Sequence, residues 1–256
     1  MSSENIQNSP KHLLGEIRET LRELLYPPRC VVCDAVLGGE DRRRGICMDC
    51  RGKLRYIREP RCLKCGGPLS DETEEYCRNC KERKHFYDRG FALYDYGSVR
   101  LSVYRFKYAG RKEYAAFFGR EMAYGLQKDF FRYAVKRKPQ VLIPVPLYAG
   151  KERSRGYNQA EALAEVIGRY CGIPVRTDLV RRIRKTRPMK ELNAGQRRGN
   201  IKNAFLISQD VVKSKVVMLI DDIYTTGTTI DEIARGLRAY GVKQIYYAAL
   251  SIGSGM

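Results

Sequence analysis

Residues 216–229, VVMLIDDIYTTGTT, constrain this chain more than any other stretch. Val216, Val217, Met218, Leu219 and Ile220 form an unbroken apolar run, the pattern of a strand buried on both faces of a parallel sheet. Ile230, Ile233, Ala234 and Leu237 then recur at helical spacing. The pattern places Asp221, Asp222 and the turn of Thr225, Thr226, Gly227, Thr228 and Thr229 at the carboxyl end of a strand and the start of a helix, where open α/β sheets bind ligands. A helix amino terminus offers unpaired N–H groups and partial positive charge, so small hydroxyl residues around one glycine there make a cradle for phosphate. The adjacent carboxylates cannot serve that phosphate and suit sugar hydroxyls or a hydrated Mg²⁺ instead. The ligand so described carries phosphate at one end and a diol or metal a few ångströms away. A Walker B strand looks similar, but no G-x-x-x-x-G-K-[ST] precedes this one.

The amino-terminal third is organised by cysteine. Eight of the nine cysteines fall in four C-x-x-C pairs, Cys30/Cys33, Cys47/Cys50, Cys62/Cys65 and Cys77/Cys80. Each pair places two thiolates on a tight knuckle, and two knuckles complete a tetrahedral four-cysteine zinc site. Two structural Zn²⁺ are therefore expected, with sequential pairing of the knuckles as the expectation and a cross-braced arrangement as the alternative. Metal is needed because a segment this short and polar cannot fold on an apolar core of its own. A disulfide framework would require an oxidising compartment, and a thioredoxin-like pair would require one C-x-x-C after a strand. His85, five residues beyond the last of these cysteines, reads as a surface or linker residue. Cys171, at the end of an apolar helical stretch, reads as inert packing.

Three regions follow: a tail and helix over residues 1–26, a double zinc ribbon over 27–82, and an α/β domain over 88–256. Leu13, Leu14, Ile17, Leu21, Leu24 and Leu25 have helical spacing up to Pro27 and Pro28. No run of 18 apolar residues is present and the first twenty residues lack the apolar core of a signal peptide, so a cytoplasmic protein without membrane insertion is expected. The net charge of +19 is uneven: residues 91–256 carry 30 Lys and Arg against 14 acids. Basic surface on that scale suits a polyanion, either a pyrophosphorylated sugar or nucleic acid. The α/β domain opens with Phe91 to Tyr96, and strands are expected over residues 141–145, 179–183, 216–220 and 244–252. Helices are expected over 100–110, 111–128 and 159–171, with a basic loop over 184–200. Strands alternating with helices predict a largely parallel sheet covered on both faces.

The apolar run, two acids, two further residues and Thr-Thr-Gly-x-Thr resemble the loop of type I phosphoribosyltransferases that binds phosphoribosyl pyrophosphate (PRPP). Four more stretches, FKYAG at 106–110, PVPL at 144–147, RGYNQA at 155–160 and the Arg198, Asn200, Ala204, Phe205 pattern, together with the zinc knuckles, resemble the ComF family of competence proteins. Where that family has the Gln of a Thr-x-x-Gln segment, this chain has Met189. The resemblance implies that Asp221 and Asp222 hold the ribose hydroxyls with Mg²⁺. It implies that Thr225, Thr226, Gly227, Thr228 and Thr229 wrap the 5′-phosphate, and that Lys151, Arg153 and Arg155 face pyrophosphate. Lys107, between Phe106 and Tyr108, either lines the pocket or lies on the surface; a catalytic place for it with Asp221, Asp222 and Arg155 is the expectation. The activity implied is a Mg²⁺-dependent phosphoribosyl transfer to an acceptor that the sequence leaves open, in DNA uptake. The partners implied are single-stranded DNA and a competence helicase. The alternative is a protein that binds single-stranded DNA or senses PRPP without turnover.

Overall fold

The computed structural model describes residues 27–184 and 203–253. The helix expected over residues 11–26 and the basic loop over 184–200, Arg184 apart, lie outside them, as do Met189, Arg198 and Asn200. The chain divides into two compact units that meet between Gly52 and Lys53. That division falls inside the stretch read from sequence as one double ribbon.

In the first unit, Arg29 and Val36 form an antiparallel bridge, and helix α1 (Gly39–Arg44) ends at Gly45 in the left-handed conformation. Cys30, Val31, Leu37, Ile46 and Cys50 are its buried residues. Asp41 ties the following turn by accepting hydrogen bonds from Met48 N at 3.2 Å and from Arg51 Nη2 at 2.6 Å.

The second unit contains the second set of knuckles, whose last cysteine, Cys80, lies within helix α2 (Arg78–Glu82), and is built on four parallel strands in the order β1-β6-β5-β2: β1 (Arg89–Asp95), β2 (Val141–Pro144), β5 (Val216–Tyr224) and β6 (Gln244–Ile252). Helix α3 (Tyr96–Tyr108) follows β1 directly, because the Asp95 side chain accepts from Ser98 N at 3.3 Å and caps it. The helix expected over residues 111–128 is α4 (Tyr114–Gly125), which continues as a π-helical segment, Leu126–Ala134. A short helix, α5 (Ala149–Arg155), then precedes α6 (Gln159–Cys171).

Alternation along β6 sorts the sheet's two faces. Tyr246 packs on Phe130 on one face, while Ile245, Tyr247 and Ala249 join Val217 and Leu219 on the other. Helices α4 and α6 pack on each other, and the sheet beside them is formed by β1, β2, β5 and β6. The face bearing Tyr247 shares a core with Ile230, Ile233, Ala234 and Leu237 of helix α7 (Thr228–Ala239) and with Cys62, Cys65 and Cys77. Burying each such aliphatic side chain contributes about 1.5–3 kcal/mol.

Two boundaries differ from the sequence expectation. Residues 179–183 do not enter the main sheet. There, β3 (Val180–Arg182) pairs antiparallel with β4 (Phe205–Ile207), and Val175 instead bridges Leu142 at the β2 edge. Its pattern of one buried, one exposed and one half-buried residue is that of a ribbon lying on a body, unlike the continuous burial of β5. Strand β5 also runs on past Ile220 to Tyr224, so Asp221 and Asp222 belong to its last residues.

Candidate functional site

The carboxyl ends of β2 and β5, the last turn of α3 and the segment from α5 into α6 enclose a cleft of about 910 Å³, within the size range of ligand sites. Lys107, Lys151, Arg155, Asp221, Asp222, Thr225 and Thr229 line it. Thr226, Gly227 and Thr228 line a smaller hollow that also touches Asp221. Arg153 is exposed and is not among the lining residues of either. The sequence-predicted residues thus converge, Arg153 excepted.

Lys107 is brought in by α3. Its Nζ lies 2.7 Å from Asp222 Oδ2, with both side chains largely buried. Asp222 N donates to Asp221 Oδ1 at 2.8 Å, which fixes the relative direction of the two carboxyls. Burial pushes the Asp221 carboxyl up to about 8, the neighbouring Asp222 charge adds to the rise, and Lys107 opposes it. Burial also lowers the Arg182 guanidinium, with the Asp221 charge working the other way. A diol or a hard cation at Asp221 would find only oxygen ligands there, the donor set that Mg²⁺ prefers.

The turn after β5 depends on Gly227. Its φ of 74° is left-handed, and a Cβ there would come within 2.4 Å of Tyr224 Oη. Thr226 and Thr228 hydroxyls lie 2.8 Å apart across it, and α7 begins at Thr228. Its first N–H groups are the unpaired donors of a helix start, in reach of an anion.

Several residues of the RGYNQA stretch shape the cleft through bonds that their local sequence does not show. Asn158 caps α6 by accepting from Ala160 N at 3.0 Å while donating to Val145 O at 3.1 Å, which ties the turn after β2 to the helix. Tyr157 donates to Phe106 O, and Gln159 Nε2 reaches the same carbonyl at 3.4 Å. These bonds connect RGYNQA to FKYAG across fifty residues of chain; the co-occurrence of the two motifs is the only sequence sign of it. Arg155 donates to Gln159 Oε1 at 2.8 Å and lies 5.0 Å from the Tyr108 ring centroid.

The cysteines form two groups in sequential pairing: Cys30, Cys33, Cys47 and Cys50, then Cys62, Cys65, Cys77 and Cys80. Within each, the ligand atoms all lie within 4.8 Å of one another. The Cys33–Cys47 and Cys65–Cys77 sulfur separations are 3.8 and 3.7 Å. A tetrahedron with Zn–S bonds of about 2.3 Å has edges of about 3.8 Å, so both groups fit zinc. Backbone N–H groups of Val32 and Cys47 point at Cys30 Sγ, both at 3.5 Å. His85 belongs to neither group and is not on the surface: its side chain is buried, with Nδ1 2.7 Å from Asp231 Oδ2.

Comparison with known proteins agrees with this layout. Residues 21–81 match the double zinc ribbon domain and residues 128–252 the phosphoribosyl transferase domain. Competence protein F of Haemophilus influenzae is 31% identical over 220 residues, spanning 85% of this chain and 93% of that protein. The DNA utilization protein YhgH of Salmonella typhimurium is 29% identical over 87% of this chain and 96% of its own length. Competence protein ComFC of Bacillus subtilis is 28% identical over 83% of this chain and 89% of its own. With both domains matched in order and competence protein F aligned over nearly its whole length, the chain belongs to the ComF family of competence proteins.

Proposed function

We propose that this protein binds PRPP with Mg²⁺ in the cleft and acts as a phosphoribosyltransferase in the handling of incoming DNA. The observation that carries the proposal is the convergence of a phosphate-type turn, two carboxylates and three cations, Lys107, Lys151 and Arg155, on one cleft. In this reading Thr225, Thr226, Gly227, Thr228 and Thr229 hold the 5′-phosphate. Asp221 and Asp222 orient the ribose hydroxyls and, when Mg²⁺ is bound, share its coordination. Lys151 and Arg155 face the pyrophosphate. In the transfer, the C1–O bond to pyrophosphate breaks and its electron pair leaves with that group. The acceptor atom bonds C1 and passes its proton to the departing pyrophosphate or to water. Cations fixed where that charge develops lower the barrier, because they need not reorganise during the step.

The DNA connection is supported by the relatives' names, competence protein and DNA utilization protein. A cytoplasmic site of action is supported by eight thiols grouped for metal, which need a reducing compartment. No helix among the described residues is long and apolar enough to cross a membrane.

One observation favours a second reading, a PRPP-gated binder of single-stranded DNA. At the mouth of the cleft Tyr104 and Tyr108 are 59% and 61% exposed, their ring centroids lie 5.2 Å apart, and Arg155 lies 5.0 Å from the centroid of Tyr108. A guanidinium and two rings in series are a platform on which bases stack.

Calorimetric titration of PRPP with Mg²⁺ into the zinc-loaded protein and into the Asp221→Asn, Asp222→Asn variant tests the first reading. Saturable, Mg²⁺-dependent heat that the variant loses is expected. No heat from the intact protein would remove PRPP from both readings. Competition between PRPP and an oligonucleotide would favour the second.

A further inference from the structure

The second cysteine cluster and the Thr-rich turn are joined by a line of buried tyrosines. Tyr247 Oη donates to the Cys65 carbonyl at 2.6 Å. Its ring lies flat on Tyr224, with centroids 4.7 Å apart and planes 4° from parallel. Gly90 of β1 leaves the slot this ring needs, since a Cβ there would stand 2.2 Å from it. Tyr224, the last residue of β5, backs directly onto Gly227, whose missing Cβ would meet its hydroxyl. Tyr87 closes the group: its hydroxyl lies 2.7 Å from Tyr224 Oη, and its ring stands edge-on to both other tyrosines. All three side chains are fully buried.

A second strap runs in parallel. His85 stacks on Tyr87 at 4.9 Å and pairs with Asp231, whose other carboxylate oxygen accepts from Phe86 N at 2.9 Å. Asp231 lies in the first turn of α7, the helix that begins at the Thr-rich turn. The segment that leaves the second cluster therefore grips the turn from behind and the helix start from the side.

A short turn of small polar residues has few contacts of its own to fix where its N–H groups point. Stacked rings with paired hydroxyls supply a rigid backing, because close-packed interiors transmit displacement rather than absorb it. We propose that Tyr247, Tyr224 and Tyr87 are positioning residues that brace the turn at residues 225–229 on the second cysteine cluster. Zinc at Cys62, Cys65, Cys77 and Cys80 then sets the cleft's affinity for a sugar phosphate, and zinc at the first cluster does not. The inference rests on the reading of that turn as the phosphate site.

The test uses the full zinc-loaded chain and three variants: Cys33→Ser in the first cluster, Cys80→Ser in the second, and Tyr247→Phe, which keeps the ring and both clusters and removes one hydrogen bond. Zinc content, hydrogen exchange by peptide, and titration with Mg²⁺ and PRPP are measured on each. Tyr247→Phe is expected to keep its full zinc content and the protection of β6, to speed exchange at residues 225–229, and to weaken PRPP about fivefold, the effect of one buried hydrogen bond. Cys80→Ser should lose zinc and weaken PRPP further, and Cys33→Ser should lose zinc with PRPP affinity unchanged. Wild-type exchange and affinity in Tyr247→Phe would overturn the proposal even if Cys80→Ser does not fold. An equal loss of affinity in Cys33→Ser would overturn it as well. If the intact protein binds no PRPP while Tyr247→Phe still speeds exchange at 225–229, the brace stands and the PRPP reading falls.

Discussion

The two cysteine clusters have the same C-x-x-C spacing and nearly the same sulfur separations, yet they belong to different kinds of structure. In the first, Cys33 is exposed and Cys47 half-buried, while Cys30 and Cys50 are buried. In the second, Cys62, Cys65 and Cys77 are buried and share one core with β5, β6 and α7. The difference teaches that identical ligand chemistry can hold a small unit together by itself in one place and serve as a wall of a larger core in another. What separates them is the surroundings. The second cluster shares its core with Tyr87, Tyr247 and Ile245, whereas the buried apolar residues of the first unit are Val31, Leu37 and Ile46 beside its cysteines.

The strongest way to break the comparison is to remove each metal in turn. Structural zinc contributes about 10–16 kcal/mol in zinc-finger peptides, as much as the whole stability of a domain at about 5–15 kcal/mol. Cys65→Ser is therefore expected to abolish the cooperative thermal transition of the sheet unit, read by near-ultraviolet circular dichroism of its buried tyrosines. Cys33→Ser should move that transition by less than about 2 °C, corresponding to under 1 kcal/mol. Equal losses from the two variants would erase the distinction.

A smaller effect is expected from glycine. Gly227→Ala places a side chain at φ 74° and against Tyr224, whereas Gly39→Ala at φ 52° in the first unit meets nothing within 4 Å. Left-handed strain costs about 1–2 kcal/mol at either position. Only Gly227→Ala also displaces the ring, so it should lower the transition of the sheet unit by about 5 °C and weaken PRPP. Gly39→Ala should leave both untouched in the sheet unit. Differential scanning calorimetry with and without ligand separates the two.

A test of a different kind is the pH dependence carried by Asp221. Its carboxyl is held up at about 8 when folded, against about 3.9 when unfolded. Between those values the folded chain holds a proton that the unfolded chain has lost, so stability of the sheet unit falls as pH rises from about 4 to about 8, then levels. Asp221→Asn should flatten that slope. Mg²⁺ with PRPP requires the ionised carboxylate, so its binding should tighten toward pH 8 with proton release, seen as a buffer-dependent heat. A slope unchanged in the variant would assign the titration to another group.

Much of the site was legible because its parts are local. Asp221, Asp222 and the five turn residues lie within nine positions of one strand end, and each knuckle spans four. Legibility ended where packing partners are distant in the chain. The apolar residues of 179–183 satisfy a strand pattern, but nothing near them says that Phe205–Ile207 will be the partner or that Val175 takes the sheet edge. His85 follows a charged run and reads as linker, yet Asp231, 146 residues later, draws it inside. Tyr87, Tyr224 and Tyr247 look like ordinary core positions one at a time; their meaning appears only when three separate segments meet. Arg153 lies outside the cleft lining for a local reason: on a helix as short as α5, residues two apart face different ways, and Lys151 and Arg155 take the side toward the cleft.

The contact between Lys107 and Asp222 has a consequence for selectivity. A site that already holds its own counter-cation works as an ion exchanger: a newcomer gains only the difference between its own interactions and those it displaces. If the Thr-rich turn is the phosphate site, as proposed above, inorganic phosphate there would not touch that pair and would gain nothing from it. A sugar with a free diol, or a hydrated metal carried by one, would instead take over the carboxylate and release the ammonium toward the pyrophosphate of the proposed ligand. On that reading the pair would act as a threshold, which small abundant anions would not cross and the complete ligand would.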